Sequence, residues 1–163
     1  MNIRLIDHRD AIYIQELASS EHIAKATSIP HPYPQDGGVK FIEFAFSRYG
    51  SGKSIPFAIE VDKQFIGLVT INGLDTTPSI DYWIGYPYWG KGFATQAVKE
   101  ALKYGEKFLN ISFFQSEALE NNLASHKVLT KNGFIKVQEE DYSGPKESHI
   151  GQKLFIFQTK KNC

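Results

Sequence analysis

Apolar and polar positions alternate at the start of the chain, where Asn2 and Arg4 alternate with Ile3 and Leu5, and this predicts a short first strand. Asp7 or Asp10 is placed to cap a helix beginning near Ala11, and residues 11–17 carry helical apolar spacing. Prolines at 30, 32 and 34 forbid regular helix, so residues 22–34 read as an extended, stiff loop. A second helix runs from Gly38 or Val39 to Tyr49, with Phe41, Ile42, Ala45 and Phe46 on one stripe, and Gly50-Ser51-Gly52 ends it. Strand patterns follow at 56–61, 64–71 and 80–85, with Asp62-Lys63 as a tight hairpin turn between the first two. The period then changes: 92–108 is helical, 110–115 β-like, and 123–131 helical up to the stop signal Asn132-Gly133. Residues 134–138 and 154–158 supply the last strands, with Gly144-Pro145 in the loop between them. The order is strand, helices, three strands, helix, strand, helix, two strands. It predicts a mixed α/β or α+β fold in a single domain over 1–163, without repeats or linkers.

Composition narrows the function classes. The chain has 163 residues, 42% hydrophobic and 22% charged, enough for one core without metal or disulfide staples and too apolar for extensive disorder. Lys plus Arg and Asp plus Glu number 18 each, so the basic surplus typical of nucleic-acid binders is missing. The one cysteine, Cys163, is terminal and reads as inert, because chain ends do not hold a nucleophile in place. Cysteine-rich zinc spacing is absent, and His8, His22, His126 and His149 form no metal-ligand pattern, so no metal is expected. Neither a signal peptide nor an apolar run of membrane-spanning length is present, which points to a soluble, cytoplasmic, reducing setting.

The most informative stretch is 82–95, from Tyr82-Trp83-Ile84-Gly85 through Tyr86-Pro87-Tyr88 to Trp89-Gly90-Lys91-Gly92-Phe93-Ala94-Thr95. A strand ends, a glycine-bearing loop follows and a helix begins. The first N–H groups of a helix lack intrahelical partners and, with the helix dipole, form an anion site. Gly90 and Gly92 remove side chains where a phosphate would approach, Lys91 adds a charge, and Ala94 keeps the first turn clear. The motif is neither GxGxxG nor a P-loop, and no hydroxyl directly follows Lys91 to hold magnesium. On these residues alone, an anion cradle and an ordinary glycine-rich turn both remain open.

Together with two further pieces, this stretch resembles the GNAT superfamily of acetyl-coenzyme A-dependent N-acetyltransferases. It is most similar to the branch containing the ribosomal-protein N-terminal acetyltransferases. Tyr82-Trp83-Ile84-Gly85 looks like that family's fourth strand, and residues 89–95 like its pyrophosphate loop. Asn122 and Ser125, followed by Lys131-Asn132-Gly133-Phe134, look like its N-x-x-S and K-x-G-F signature, and the proline-rich 29–34 segment resembles the branch's substrate side. The resemblance implies a mostly antiparallel sheet with helices on both faces and splayed fourth and fifth strands, the fifth being 110–115. It implies that pantetheine pairs with the backbone of Trp83, Ile84 and Gly85. The pyrophosphate would then rest on N–H groups of Gly90, Lys91, Gly92, Phe93, Ala94 and Thr95. Trp89 stands where the family prefers Gln or Arg. The resemblance also implies that Asn122 bonds the cofactor, although Asn is equally a favoured helix cap, and that Ser125 contacts the coenzyme or protonates its thiolate.

An attacking amine must be neutral. An α-amine has a pKa near 8 and a lysine or polyamine amine near 10.4, so the latter needs more help. Asp81 on the fourth strand is the first candidate to accept the proton, directly or through water, or to position the ammonium; a plain surface carboxylate is the alternative. Glu60 is the second candidate, and a backbone N–H near Ile84 would stabilise the tetrahedral oxyanion. His31 and Tyr33 are candidates for the acceptor side, with loop anchoring as their alternative, and Glu139-Glu140-Asp141 either attracts a cationic acceptor or forms a solvated turn. The expected reaction is direct transfer in a ternary complex, to a protein or peptide N-terminus or to a small amine such as a polyamine, amino sugar or aminoglycoside. A non-catalytic acetyl-coenzyme A sensor is the competing class. The expectation includes no nucleic-acid or membrane partner, and a monomer or homodimer.

Overall fold

The computed structural model describes residues 1–160, and Cys163 lies outside them. The strands are β1 (Asn2–Leu5), β2 (Ile55–Val61), β3 (Gln64–Asn72), β4 (Ser79–Ile84), β5 (Gln115–Leu119), β6 (Phe134–Asp141) and β7 (Lys153–Thr159). The helices are α1 (Asp10–Ala18), α2 (Glu21–Ala26), α3 (Gly37–Gly50), α4 (Phe93–Leu109) and α5 (Leu123–Lys131). The strands form one seven-stranded sheet in the order β1-β2-β3-β4-β5-β7-β6, antiparallel throughout except for the β4–β5 neighbours.

Alternation along the strands sorts side chains into two cores. Phe57, Ile59, Val69, Ile71, Ile80 and Ile84 point to one face and pack under Ala97, Val98 and Ala101 of α4 and Leu129 of α5. Ala58, Phe65 and Leu68 point to the other and meet Ile14 and Ala18 of α1 and Ile42 and Ala45 of α3. Helices therefore cover both faces, as the mixed α/β reading expects. The β2–β3 hairpin turns at Asp62-Lys63, both in the left-handed region at φ 51° and 65°, and α5 ends at Asn132 with Gly133 at φ 81°.

Four local expectations are corrected. Residues 22–34 are not extended throughout: α2 occupies the first part, started by Ser20, whose hydroxyl accepts from the His22 N–H. The prolines constrain the chain only from their immediate upstream neighbours onward. The start of α1 uses both aspartates, but not as a single cap: Asp7, two residues before the cap position, accepts the Arg9 N–H at 2.7 Å, and Asp10 accepts the Asp7 N–H at 2.9 Å. Arg9 holds the cap position without a side-chain bond, and Asp10, 1% exposed, accepts from Arg4 Nη1 at 2.8 Å and Nη2 at 2.7 Å.

The fifth strand begins at Gln115, not Asn110. Asn110 is the left-handed cap of α4, its N–H donating to the Gly105 carbonyl, and the next residues carry Phe114 into the core over Gly105. A Cβ at Gly105 would lie 2.4 Å from Phe114 Cζ, so ring and glycine are matched. Finally, Glu139-Glu140-Asp141 is the exposed end of β6 and not a turn; Lys136 holds Glu139, and Lys153 holds Asp141 at 2.6 Å.

Candidate active site

The sheet is interrupted where the resemblance implies a splay. Parallel β4 and β5 share a single register pair, Ser79 with Gln115, closed by the Gln115 N–H to Pro78 carbonyl bond at 2.9 Å. One residue further, the Ser116 hydroxyl donates to the Ile80 carbonyl at 2.8 Å and ends the contact. From there β4 runs on to Ile84 and β5 to Leu119 without a further rung, β4 held by β3 and β5 by β7. A wedge opens toward their C-terminal ends.

The ladder to β3 fixes which β4 groups line that wedge. Gly85 N–H donates to the Ile66 carbonyl at 2.7 Å, so Gly85 and Ile66 form a hydrogen-bonded pair. In an antiparallel ladder such pairs alternate. Trp83 therefore spends its backbone on Leu68, while Tyr82 and Ile84 turn theirs toward β5, which supplies no rung. This corrects the expected set of Trp83, Ile84 and Gly85: of these only Ile84 presents backbone to the wedge, and Tyr82 joins it. The Ile84 carbonyl is already taken by the Trp89 indole N–H at 2.6 Å, which leaves its N–H as the wedge-facing donor. Trp89 thus braces the strand end, with Tyr86 edge-on to its ring and His22 of α2 stacked on Tyr86 at 3.7 Å.

Past Trp89 the chain passes through two left-handed glycines, Gly90 at φ 74° and Gly92 at φ 79°, and a Cβ at either would meet nothing within 4 Å. The glycines answer to backbone conformation and leave open space above the loop. Gly92 is the cap residue of the 17-residue α4 and offers no side chain to it, and the first turn contains no acidic residue. The first intrahelical bond runs from Gln96 N–H to the Gly92 carbonyl, so the N–H groups of Phe93, Ala94 and Thr95 have no intrahelical acceptor. Lys91 Nζ lies 5.9 Å from the Tyr88 ring centroid, on the same loop.

The two faces of β4 carry different chemistry. On the α1–α3 face, Asp81 accepts a short hydrogen bond from Asn72 of β3. The residue is exposed, yet the protein around its carboxylate strips away enough solvent to push its pKa above the usual carboxylate value, against the opposing Asn72 hydrogen bond. Glu117 of β5 is also raised, by burial first and then by the charges of Asp81 and Glu140. On the α4–α5 face, the Tyr82 hydroxyl lies 2.9 Å from Ser125 Oγ, and burial pushes the phenol up to about 12. Asn122 caps α5: its Oδ1 accepts from Ser125 N–H at 3.1 Å and its Nδ2 donates to the Ala26 carbonyl at 3.1 Å. The geometry contains its capping role, which fixes Ser125.

Glu60 is corrected. It lies on β2, two strands away from β4, and accepts from Arg4 Nε at 2.7 Å and from Asn2, inside the Arg4–Asp10 ion-pair network. Tyr33 is an anchor: its ring packs on Gly37 in the second core, and burial raises its pKa. His31 is exposed and lines an open cleft of about 670 Å³ with Glu21, Lys25, Ser28 and Lys146. One wall of that cleft is tied down by Lys146 Nζ, which donates to the carbonyls of Ala24, Thr27 and Ile29. The sequence places Tyr82 in the fourth-strand motif without a role of its own, and it does not single out Asn72, Glu117 or Lys146. Only Tyr82 carried a signal, as an apolar-face residue of β4 bearing a hydroxyl.

Comparison with known proteins agrees with this geometry. Residues 1–135 match the model of an acetyltransferase (GNAT) domain. An uncharacterised N-acetyltransferase, YoaA of Bacillus subtilis (strain 168), is 24% identical over 139 residues, covering 82% of this chain and 78% of the relative. Another, p20 of Bacillus licheniformis, is 29% identical over 90 residues, 53% of this chain, and the match spans only 51% of that relative's length. Among solved structures, the Vibrio cholerae spermidine N-acetyltransferase in complex with CoA and spermine superposes with a TM-score of 0.82 at 18% identity, over 98% of this chain and 95% of that one. The ribosomal L7/L12 alpha-N-protein acetyltransferase in complex with coenzyme A superposes at 0.85 and 15% identity, over 96% and 91%. These likenesses establish the fold, and with the family match over most of its length this chain belongs to the GNAT acetyltransferases.

Proposed function

We propose that the chain transfers acetyl from acetyl-coenzyme A to a primary amine, an α-amine at a protein or peptide N-terminus, by direct attack in a ternary complex. The observation that carries the reading is the single rung between β4 and β5 beside a glycine turn that leads into an uncapped helix N-terminus. Unpaired strand edges call for hydrogen-bond partners, and pantetheine amides meet that need along Tyr82 and Ile84. The free N–H groups of Phe93, Ala94 and Thr95, with the approach cleared by Gly90 and Gly92, suit a diphosphate. The thioester carbonyl then lies against the Ile84 N–H, which stabilises the oxyanion.

The two faces of β4 suggest the division of proton transfers. Asp81 receives the amine proton, directly or through water, and its raised pKa makes it a better base than an ordinary aspartate. Ser125 donates to the departing thiolate from the opposite face. An α-amine suits a weak base, since a useful fraction is neutral near pH 7. The cleft beside His31 is open and not an enclosed pocket, which favours an extended peptide over a small molecule.

A second acceptor class, a polyamine, is favoured by one observation. Asp81, Glu117 and Glu140 form an acidic row on three strands, close enough for their charges to act on one another. The Vibrio cholerae spermidine enzyme and the ribosomal-protein enzyme share the fold equally well, so fold likeness does not choose. We assign the reaction to the cytoplasm; among the described residues no helix is long and apolar enough to cross a membrane. Calorimetry with acetyl-coenzyme A, followed by a labelled-acetyl screen of N-terminal peptides, polyamines and aminoglycosides, tests the reading. Binding with turnover on peptides is expected. Binding with turnover only on polyamines transfers the proposal to the second class, and absence of binding at millimolar cofactor ends it.

A further inference from the structure

We infer that Tyr82 is a positioning residue that acts through Ser125, aiming the serine hydroxyl at the coenzyme sulfur and replenishing its proton. The inference rests on the acetyltransferase reading above and adds a residue to its leaving-group side.

Tyr82 is the β4 residue whose backbone turns to the wedge and whose side chain crosses to α5. Its hydroxyl lies 2.9 Å from Ser125 Oγ and 3.4 Å from the Ser125 carbonyl oxygen, so among the described residues both neighbours of the phenol belong to Ser125. Ser125 is held from its other side, where Asn122 Oδ1 accepts its N–H at 3.1 Å, and Asn122 is in turn tied to Ala26. Oγ itself has no second partner among the described residues, so when the phenol donates to Oγ the serine proton is left to point elsewhere. A serine hydroxyl on an exposed helix would rotate among three wells. Here backbone and hydroxyl are both pinned, from two different elements.

An alcohol is a poor acid, and it protonates a thiolate only if the charge it acquires is met. As the C–S bond of the tetrahedral intermediate breaks, the Ser125 O–H proton moves to sulfur and the Tyr82 O–H proton moves to Ser125 Oγ. The phenolate then takes a proton from water, and the hydroxide left is neutralised by the proton the amine has lost. Burial keeps the phenol protonated at any pH at which the amine reacts, so the donor is always loaded. Without the phenol, Ser125 keeps its place on the helix but loses its aim and its proton supply.

The test compares wild type with Tyr82→Phe, Ser125→Ala and the double variant. Phenylalanine preserves the packing of Tyr82 against the main core, so the fold is expected to survive, and circular dichroism checks it. In the turnover assay Tyr82→Phe should lower kcat at least about tenfold, less than the roughly 10²–10⁴-fold of a direct general acid because Tyr82 acts through Ser125, with KM for acetyl-coenzyme A unchanged. The double variant should be no slower than Ser125→Ala alone. In a readout that needs no acceptor, the thiol of bound coenzyme A is titrated by the ultraviolet absorbance of its thiolate. It should titrate higher in Tyr82→Phe and in Ser125→Ala, by about a tenfold change in proton affinity, since a donor to the thiolate has been lost. A wild-type protein that binds no coenzyme A defeats the acetyltransferase reading and this inference with it. A wild type that binds, with the bound thiol unmoved in Tyr82→Phe, or a Tyr82→Phe defect that adds fully to Ser125→Ala, defeats the role of Tyr82 alone.

Discussion

Gly67 controls the width of the wedge from the wrong side of the strand. It sits on β3 opposite Ile84, and a Cβ built there would lie 2.2 Å from the Trp83 carbonyl oxygen and 3.0 Å from Ile84 Cα. Both are backbone atoms, so no rotamer change relieves the clash. To reach an ordinary contact the Trp83–Ile84 segment must retreat by about 1 Å, a displacement typical of overpacked cores, which costs about 1–3 kcal/mol. For a domain of this size that corresponds to a Tm lower by roughly 3–10 °C.

The direction of retreat is what makes Gly67→Ala informative. β3 is locked on its far side by the β2 register from Ile55–Ile71 to Val61–Gln64, whereas β4 beyond Ile80 has no strand on its outer edge. The strand that gives way is β4, and it moves into the wedge. Two wedge-lining groups, the Tyr82 backbone and the Ile84 N–H, are displaced, and the cleft narrows by about 1 Å, roughly a fifth of the spacing between paired strands. Affinity for coenzyme A, measured by calorimetry below the melting transition, should fall at least about tenfold, the equivalent of one lost charge-free hydrogen bond or more. A Gly67→Ala protein that melts early but binds coenzyme A as wild type does would refute the placement of the thioester arm between β4 and β5. One that neither melts early nor binds weakly would refute the packing argument itself.

Three further outcomes follow from other parts of the molecule. Gly92→Val should cost about 1–3 kcal/mol through its left-handed backbone, since the space around it is open, and should weaken coenzyme binding more than acceptor binding; equal loss of both in calorimetry would contradict the diphosphate placement. Asp81→Asn should slow acetyl transfer yet raise Tm at neutral pH. A carboxyl whose folded pKa is raised holds its proton longer than in the unfolded chain, so it costs stability as pH climbs from 3.8 through the raised value, and the amide removes that cost. His149, 3% exposed with Nε2 unpartnered among the described residues, has its pKa lowered by burial and then by Lys146. Its stability contribution is therefore complete above 6.5 and declines as pH falls toward the lowered folded value; His149→Phe should flatten that acid limb of a Tm–pH curve, and an unchanged limb would show that another group titrates there.

Much of the architecture was legible because it rests on local rules. The Asp62-Lys63 turn, the α5 stop at Asn132-Gly133 and the glycine turn before α4 each depend on a conformation that few residues adopt, and each was placed by residue type. The errors fall where packing chooses among several partners. Asp10 has the chemistry of a cap, but Arg4 on β1 takes both of its oxygens, and at the helix start its carboxylate accepts from the Asp7 N–H. Glu60 has the chemistry of a base, and the same arginine claims it. A titratable side chain has several uses, and which one it has can depend on a contact far along the chain, as in the pairing of Arg4 with Glu60 at a separation of 56.

The shift of β5 from 110–115 to Gln115–Leu119 has a larger consequence. A β-like composition over 110–115 is compatible with a strand, but Phe114 is needed by the core over Gly105, and the chain passes there before it enters the sheet. Gln115 therefore meets β4 at Ser79, the first residue of that strand, and Ser116 at once binds the Ile80 carbonyl with its side chain where a backbone rung would come next. A serine hydroxyl in place of a ladder bond ends the pairing and satisfies the carbonyl it orphans. The wedge is thus built from two side-chain decisions, a phenylalanine that delays the strand and a serine that closes its first gap. Ser116→Val would test this directly. It removes the hydroxyl from a site only 3% exposed and leaves the Ile80 carbonyl buried without a partner, at a cost of about 1–3 kcal/mol. The strand pair relieves that cost only by zipping one rung further, so the variant should lose affinity for coenzyme A along with stability. A Ser116→Val protein that binds coenzyme A as tightly as wild type would show that the two strands part for some reason other than this hydroxyl.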